Sequence, residues 1–150
     1  MKKTLFDQAA RQSLAGRMAR VTANAKAVWG TMNAEQMLAH LVEAMKLGTG
    51  ELNLKPRKMI IRFPPLKQLI VYVLPFPKGA PTAPELKRLE SDAGTLERNR
   101  AELARLMEDI GGRAAQKEWP AHPAFGKLTR RAWGVLGYKH IDHHLRQFGV

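Results

Sequence analysis

The chain has no cysteine. That one absence excludes disulfides, thiolate metal sites and a cysteine nucleophile. It also suits a reducing cytoplasm, which is the expected location. Long hydrophobic runs are missing as well. The most apolar stretch, LIVYVL from Leu69 to Leu74, is too short to span a bilayer, and Arg62, Lys67 and several prolines flank it. The opening MKKTLFDQAARQSL has two lysines but no apolar segment of signal-peptide length, so neither export nor a membrane partner is expected. Acidic residues are few, 13 against 25 lysines and arginines, which leaves a net charge of +12 and a pI near 10.5. Such a balance invites a nucleic-acid partner. Yet the cations are spread along the whole chain, the clusters KPRK and TRR are short, and aromatics make up only 7%. Charge of this kind speaks to solubility and non-specific attraction. No Ser/His/Asp arrangement, glycine-rich phosphate loop or placeable carboxylate pair is found.

With 150 residues the chain suits a single domain, 1–150, able to bury a core without disulfides. Its periodicity is helical. Thr4 is placed to cap a first helix, with Asp7 in capping-box spacing and Leu5, Ala9, Leu14 and Met18 on its apolar side, ending near residue 20. Asn33 with Gln36 opens a second helix, and Met32 is placed as a staple. Met37, Leu41, Ala44 and Gly48 recur along it, and Gly48 and Gly50 help end it. Residues 51–90 hold seven of the nine prolines. Pro64 and Pro65 can start a short helix that Pro75 stops. A buried strand would read alike, but no second strand candidate offers itself. A third helix is expected from Asp92 to Ile110, with Leu96, Leu103, Leu106, Met107 and Ile110 as its stripe and Gly111-Gly112 as its stop. After the loop RAAQKEWPAHPAFG, Thr129 caps a last helix running to about Gln147. The expected class is all-α, a four-helix bundle with an elaborated proline-rich connection.

Three of five histidines crowd the segment GYKHIDHHLRQFGV. With Trp133 as zero and 100° per residue, His140 falls at about −20° and His144 at about +20°. They sit inside the apolar stripe of the last helix, while His143 lies on its rim near about −80°. Imidazoles four residues apart on one face can converge on one ion. They can equally be core histidines bonded to other protein groups, since a buried imidazole must satisfy a donor and an acceptor. A third ligand belongs on a facing helix, and His40 lies in the stripe of the second helix with Leu41 and Ala44. His122, in HPAFG, is expected in a structural or pocket-rim role. Trp29 and Trp133 are either apolar walls of a pocket or plain core.

WGTMNAEQMLAHLVEAM, followed at a distance by HPAFGKLTRRAWGVLGYKHIDHHLRQFGV, resembles the DinB/YfiT-like superfamily, in a branch described only as a domain of unknown function. The resemblance follows helix order over nearly the whole chain. It implies a four-helix bundle in which His40, His140 and His144 bind a divalent ion, commonly nickel or zinc. The family's His-His-x-x-Gln ending is present as His143, His144 and Gln147, which implies that His143 and Gln147 stand behind the ligands. Relatives include S-transferases and an isomerase that depend on low-molecular-weight thiols such as bacillithiol, mycothiol or glutathione. The implied function is a metal-dependent enzyme, a thiol-dependent S-transferase or hydrolase, acting on a small molecule, with a homodimer as the expected assembly. A chain without cysteine would borrow its thiol from solution. The proline-rich region, 51–84, varies within the superfamily, so the substrate class does not carry over. Two other classes stay open. One is a non-catalytic helical binding or stress protein with structural metal or none. The other is a basic nucleic-acid-associated protein.

Overall fold

The computed structural model describes residues 1–80 and 95–150. These hold five α-helices and no strand, only an isolated antiparallel bridge between His122 and Gly126. The class is all-α.

Helix α1 (Gln8–Met18) is capped by Asp7, whose carboxylate accepts from the Ala9 amide at 3.0 Å. The expected cap, Thr4, lies outside the helix and accepts instead from Phe6 N at 2.9 Å. The reason is tertiary. Leu5 N donates to the Gly134 carbonyl at 3.1 Å, which pins this segment to the last helix as a turn closed by Asp7 N on the Thr4 carbonyl at 3.1 Å. With the helix starting later, its inward line is Ala10, Leu14 and Met18, four residues apart, and Ala9 is exposed.

Helix α2 (Ala34–Thr49) opens on the expected capping box. Asn33 Oδ1 accepts from Gln36 N at 2.8 Å, and Gln36 Oε1 accepts from Asn33 N at 2.9 Å. Gly50 ends the helix with a φ of +83°, a conformation glycine adopts without strain. Gly48 does not act as a stop. It lies inside the helix, where a Cβ would sit 3.3 Å from the Trp133 ring, so the missing side chain makes room for that indole.

The connection forms a 3-10 turn (Ile60–Arg62), then helix α3 (Leu66–Gln68), continued by a π turn (Leu69–Val73). LIVYVL is therefore helical through Val73, and Leu74 turns extended before Pro75. Lys139 secures its end: the ammonium donates to the carbonyls of Ile70 (2.5 Å), Val71 (3.1 Å) and Leu74 (2.7 Å).

Helix α4 (Leu96–Gly112) is capped by Thr95, which accepts from Arg98 N at 3.2 Å. The expected start at Asp92 lies outside the described residues, as do Pro81 and Pro84. All five expected stripe residues are buried. Gly111 and Gly112 belong to the helix rather than ending it; the Arg11 guanidinium passes where a Gly111 Cβ would be, 2.5 Å away. Helix α5 (Arg130–Gln147) starts at Thr129, which accepts from Ala132 N at 3.2 Å.

Four helices are long, and α3 adds a short fifth. Helices α1 and α2 each pack against both α4 and α5. The main core holds Leu14, Met37, Leu41, Leu103, Ile141 and Leu145. Burying each such side chain contributes about 1.5–3 kcal/mol. A second cluster joins Leu47, Val71, Phe125, Trp133 and Leu136, and seats the π turn on α5. No described helix is long and apolar enough to cross a membrane.

Candidate metal centre

Helices α2 and α5 bring three histidines together. His40 looks across at His140 and His144, with ring centroids 4.9 and 4.8 Å away, and those two lie 5.0 Å apart, one turn from each other on α5. Each offers a ring nitrogen within 4.8 Å of the others'. His40 Nε2 and His140 Nε2 are 2.9 Å apart. Nitrogens sharing one tetrahedral ion lie about 3.3 Å apart, so this pair stands slightly closer than a shared ion would hold it.

The protonation pattern suits a ligand set. His144 Nδ1 lies 2.7 Å from Gln147 Oε1, and Gln147 Nε2 donates to the Trp29 carbonyl at 2.8 Å. That second bond fixes which end of the amide faces the histidine. His144 therefore donates through Nδ1, and its Nε2 carries the lone pair. Gly30 allows this arrangement. Its φ is +81°, and a Cβ there would lie 2.6 Å from Gln147 Nε2. Val28 N also donates to the Gln147 carbonyl at 2.7 Å, so the loop before α2 grips the last turn of α5.

His40 and His144 are 4% and 8% exposed, and His140 is partly buried. Burial pushes His144 down to about 3, helped by its His40 neighbour and opposed by Gln147. Burial, then the neighbouring imidazoles, holds His140 well below the ordinary histidine range. Both are neutral at physiological pH, as metal ligands must be.

His143 is not in the cluster. Its ring stands 5.6 Å from Trp29 and 5.9 Å from Phe76, at the partly exposed edge. Burial lowers its pKa too. Phe76 also approaches His140, at 5.7 Å. Two cations stack on these rings, Lys78 Nζ 4.6 Å from the Trp29 centroid and Lys139 Nζ 4.8 Å from that of Phe76. This edge of the cluster is thus aromatic and cationic. Trp133 is core, donating to the Pro120 carbonyl at 3.0 Å. His122 stands apart in a structural role: its Nδ1 accepts from Ala124 N (3.0 Å) and Phe125 N (3.3 Å), and burial lowers it to about 4.

Phe76, Lys78 and Gly30 escaped the sequence reading. They lie in irregular backbone, where no period links them to the histidines.

A family model described as "Protein of unknown function (DUF1569)" matches residues 6–149. No curated protein and no solved structure matches the chain.

Proposed function

The chain belongs to this family of unknown function, and we propose that it is a metal-dependent enzyme of the DinB-like type, with His40, His140 and His144 holding a divalent ion, nickel or zinc. The observation that carries this reading is the convergence of three imidazoles from two helices, one of them oriented by Gln147. Three neutral ligands suit an ion that keeps its full charge and an open position, which makes a thiol or water reaching it easier to deprotonate.

The protein's own residues set what reaches that point. Trp29 and Phe76 shield the cluster's edge with apolar surface. Lys78 favours an anionic reactant. His143 lies between the two rings, where a neutral imidazole can accept a proton. Because the chain has no cysteine, the nucleophile comes from solution. This supports transfer to a low-molecular-weight thiol, or hydrolysis.

One observation favours a second reading, a non-catalytic helical module. His40 with His140, and His144 with Gln147, already satisfy ring nitrogens within the protein. Elemental mass spectrometry of tag-free protein, beside His40→Ala and His144→Ala, separates the two. Near-stoichiometric nickel or zinc, lost in both variants, is the expected result, followed by turnover in a screen of thiols with electrophiles. No retained metal after reconstitution with either ion leaves the non-catalytic module.

A further inference from the structure

Large apolar side chains left in water are not scattered over this protein. Apart from Met1 and Val28, those exposed among the described residues are Met59, Ile60, Phe63, Leu69, Val73 and Leu74. Ile60, Phe63 and Val73 are 76, 62 and 63% exposed. The π turn after α3 explains part of this. Its inner side buries Val71 against the second cluster, with Ile70 and Tyr72 partly buried. Its outer residues, Leu69 and Val73, are apolar as well and face solvent, as does Pro65 ahead of α3. A surface helix ordinarily turns a polar face outward, and a concentrated exposed patch marks an interaction surface.

The charge around the patch selects the partner. From Leu52 to Ala80 there are six cations, Lys55, Arg57, Lys58, Arg62, Lys67 and Lys78, and no acidic residue. Lys58 and Arg62 line the same shallow depression as Met59, Ile60 and Phe63. Lys127 and Arg131 adjoin α3: Lys67 Nζ donates to the Lys127 carbonyl at 2.9 Å, and Arg131 stands 5.8 Å from the Tyr72 ring centroid. A second copy docked on this face would set cation against cation. Nucleic acid would satisfy the charges but gain nothing from exposed Ile60, Leu69 and Val73. An anionic lipid surface meets both requirements, headgroups for the cations and an acyl boundary for the apolar side chains.

We propose that the face built by residues 55–74 docks this protein onto anionic lipid membranes, lying on the bilayer without crossing it. This face does not need the metal centre, although Phe76, beside His140, follows directly on it in sequence.

The test is cosedimentation of the full chain with phosphatidylcholine vesicles and with phosphatidylcholine–phosphatidylglycerol vesicles, at low and high salt. Binding to the anionic vesicles alone, weakened by salt, is expected. Arg57→Gln with Lys58→Gln should weaken it about 30-fold, from two surface charges. Ile60→Ser with Phe63→Ser should weaken it by on the order of 100-fold through lost apolar burial. All four residues are surface-facing, and unchanged thermal melts would show the variants folded. Four results would overturn the proposal: no binding to anionic vesicles; binding untouched by the Ile60/Phe63 pair, or outcompeted by duplex DNA, either of which would make the face a polyanion site; or a dimer in solution that the Ile60/Phe63 pair dissociates, which would make it a contact between copies.

Discussion

Zinc added to this protein at pH 5.5 should release few protons. An ordinary imidazole with a pKa near 6.5 is about nine-tenths protonated there, so an ordinary pair would give up about 1.8 protons on ligation. In this site burial holds His144 near 3 and His140 well below its usual range. Both therefore meet the ion already neutral. A third imidazole ligand carries at most one ionisable proton. The same arithmetic fixes the affinity. Between pH 7.5 and 5.5 an ordinary pair loses about 100-fold to proton competition, a factor of about ten from each ring. Here that loss is absent. Calorimetric titration at pH 5.5 in two buffers of different ionisation heat counts the protons directly. At most about one per zinc is expected. The same titration on His143→Gln identifies any proton contributed by that neighbour. Release of two or more in both proteins would show that the pair is hydrated and protonated in the apo state, and the desolvation argument would fail.

Three other outcomes follow from the geometry. His122 is lowered to about 4 by burial, so the unfolded chain binds its proton first, and stability falls as pH drops from about 6.5 toward 4. At pH 4.5 this amounts to roughly 2.5 kcal/mol. His122→Asn can still offer an acceptor to the Ala124 and Phe125 amides, so urea unfolding should show a loss shallower by that amount; parallel curves would count against the assignment. Gln147→Leu removes the acceptor that orients His144 and should weaken metal binding about 10–100-fold in a chelator competition, whereas unchanged affinity would show that Gln147 does not orient the ligand. Gly30→Ala places a Cβ against Gln147 at a φ of +81°. It should cost about 1–2 kcal/mol in denaturant melts from backbone strain alone, and wild-type stability would contradict it.

The long helices were legible because each carries a sequence period and a capping residue. Asn33, Gln36 and Thr129 act where their side chains alone predict. The histidine trio was legible for a related reason. His140 and His144 repeat at one helical turn, and His40 shares a stripe with Leu41. Where the reading slipped, a partner distant in sequence had overridden a local signal. Thr4 is a good cap by type, but pairing of Leu5 with Gly134 keeps it out of the helix. Gly48, Gly111 and Gly112 look like stops, yet Gly48 admits Trp133 and Gly111 admits Arg11. Such close approaches have no sequence period. The aromatic edge of the site was hidden for the same reason. Phe76 and Lys78 come from a proline-rich connection whose path is set by its packing on α5 and by the three bonds of Lys139.

The span between His40 and His140 has a consequence beyond chemistry. The two rings touch across 100 residues of chain. An ion shared between them is a cross-link that closes that loop, as a disulfide does in proteins that have cysteines. For a loop of this length the chain-entropy model gives about 4.7 kcal/mol of stabilisation, drawn from the unfolded ensemble. A chain with no sulfur to staple it would thus carry a staple of nitrogen, set when metal is plentiful and withdrawn when it is scarce.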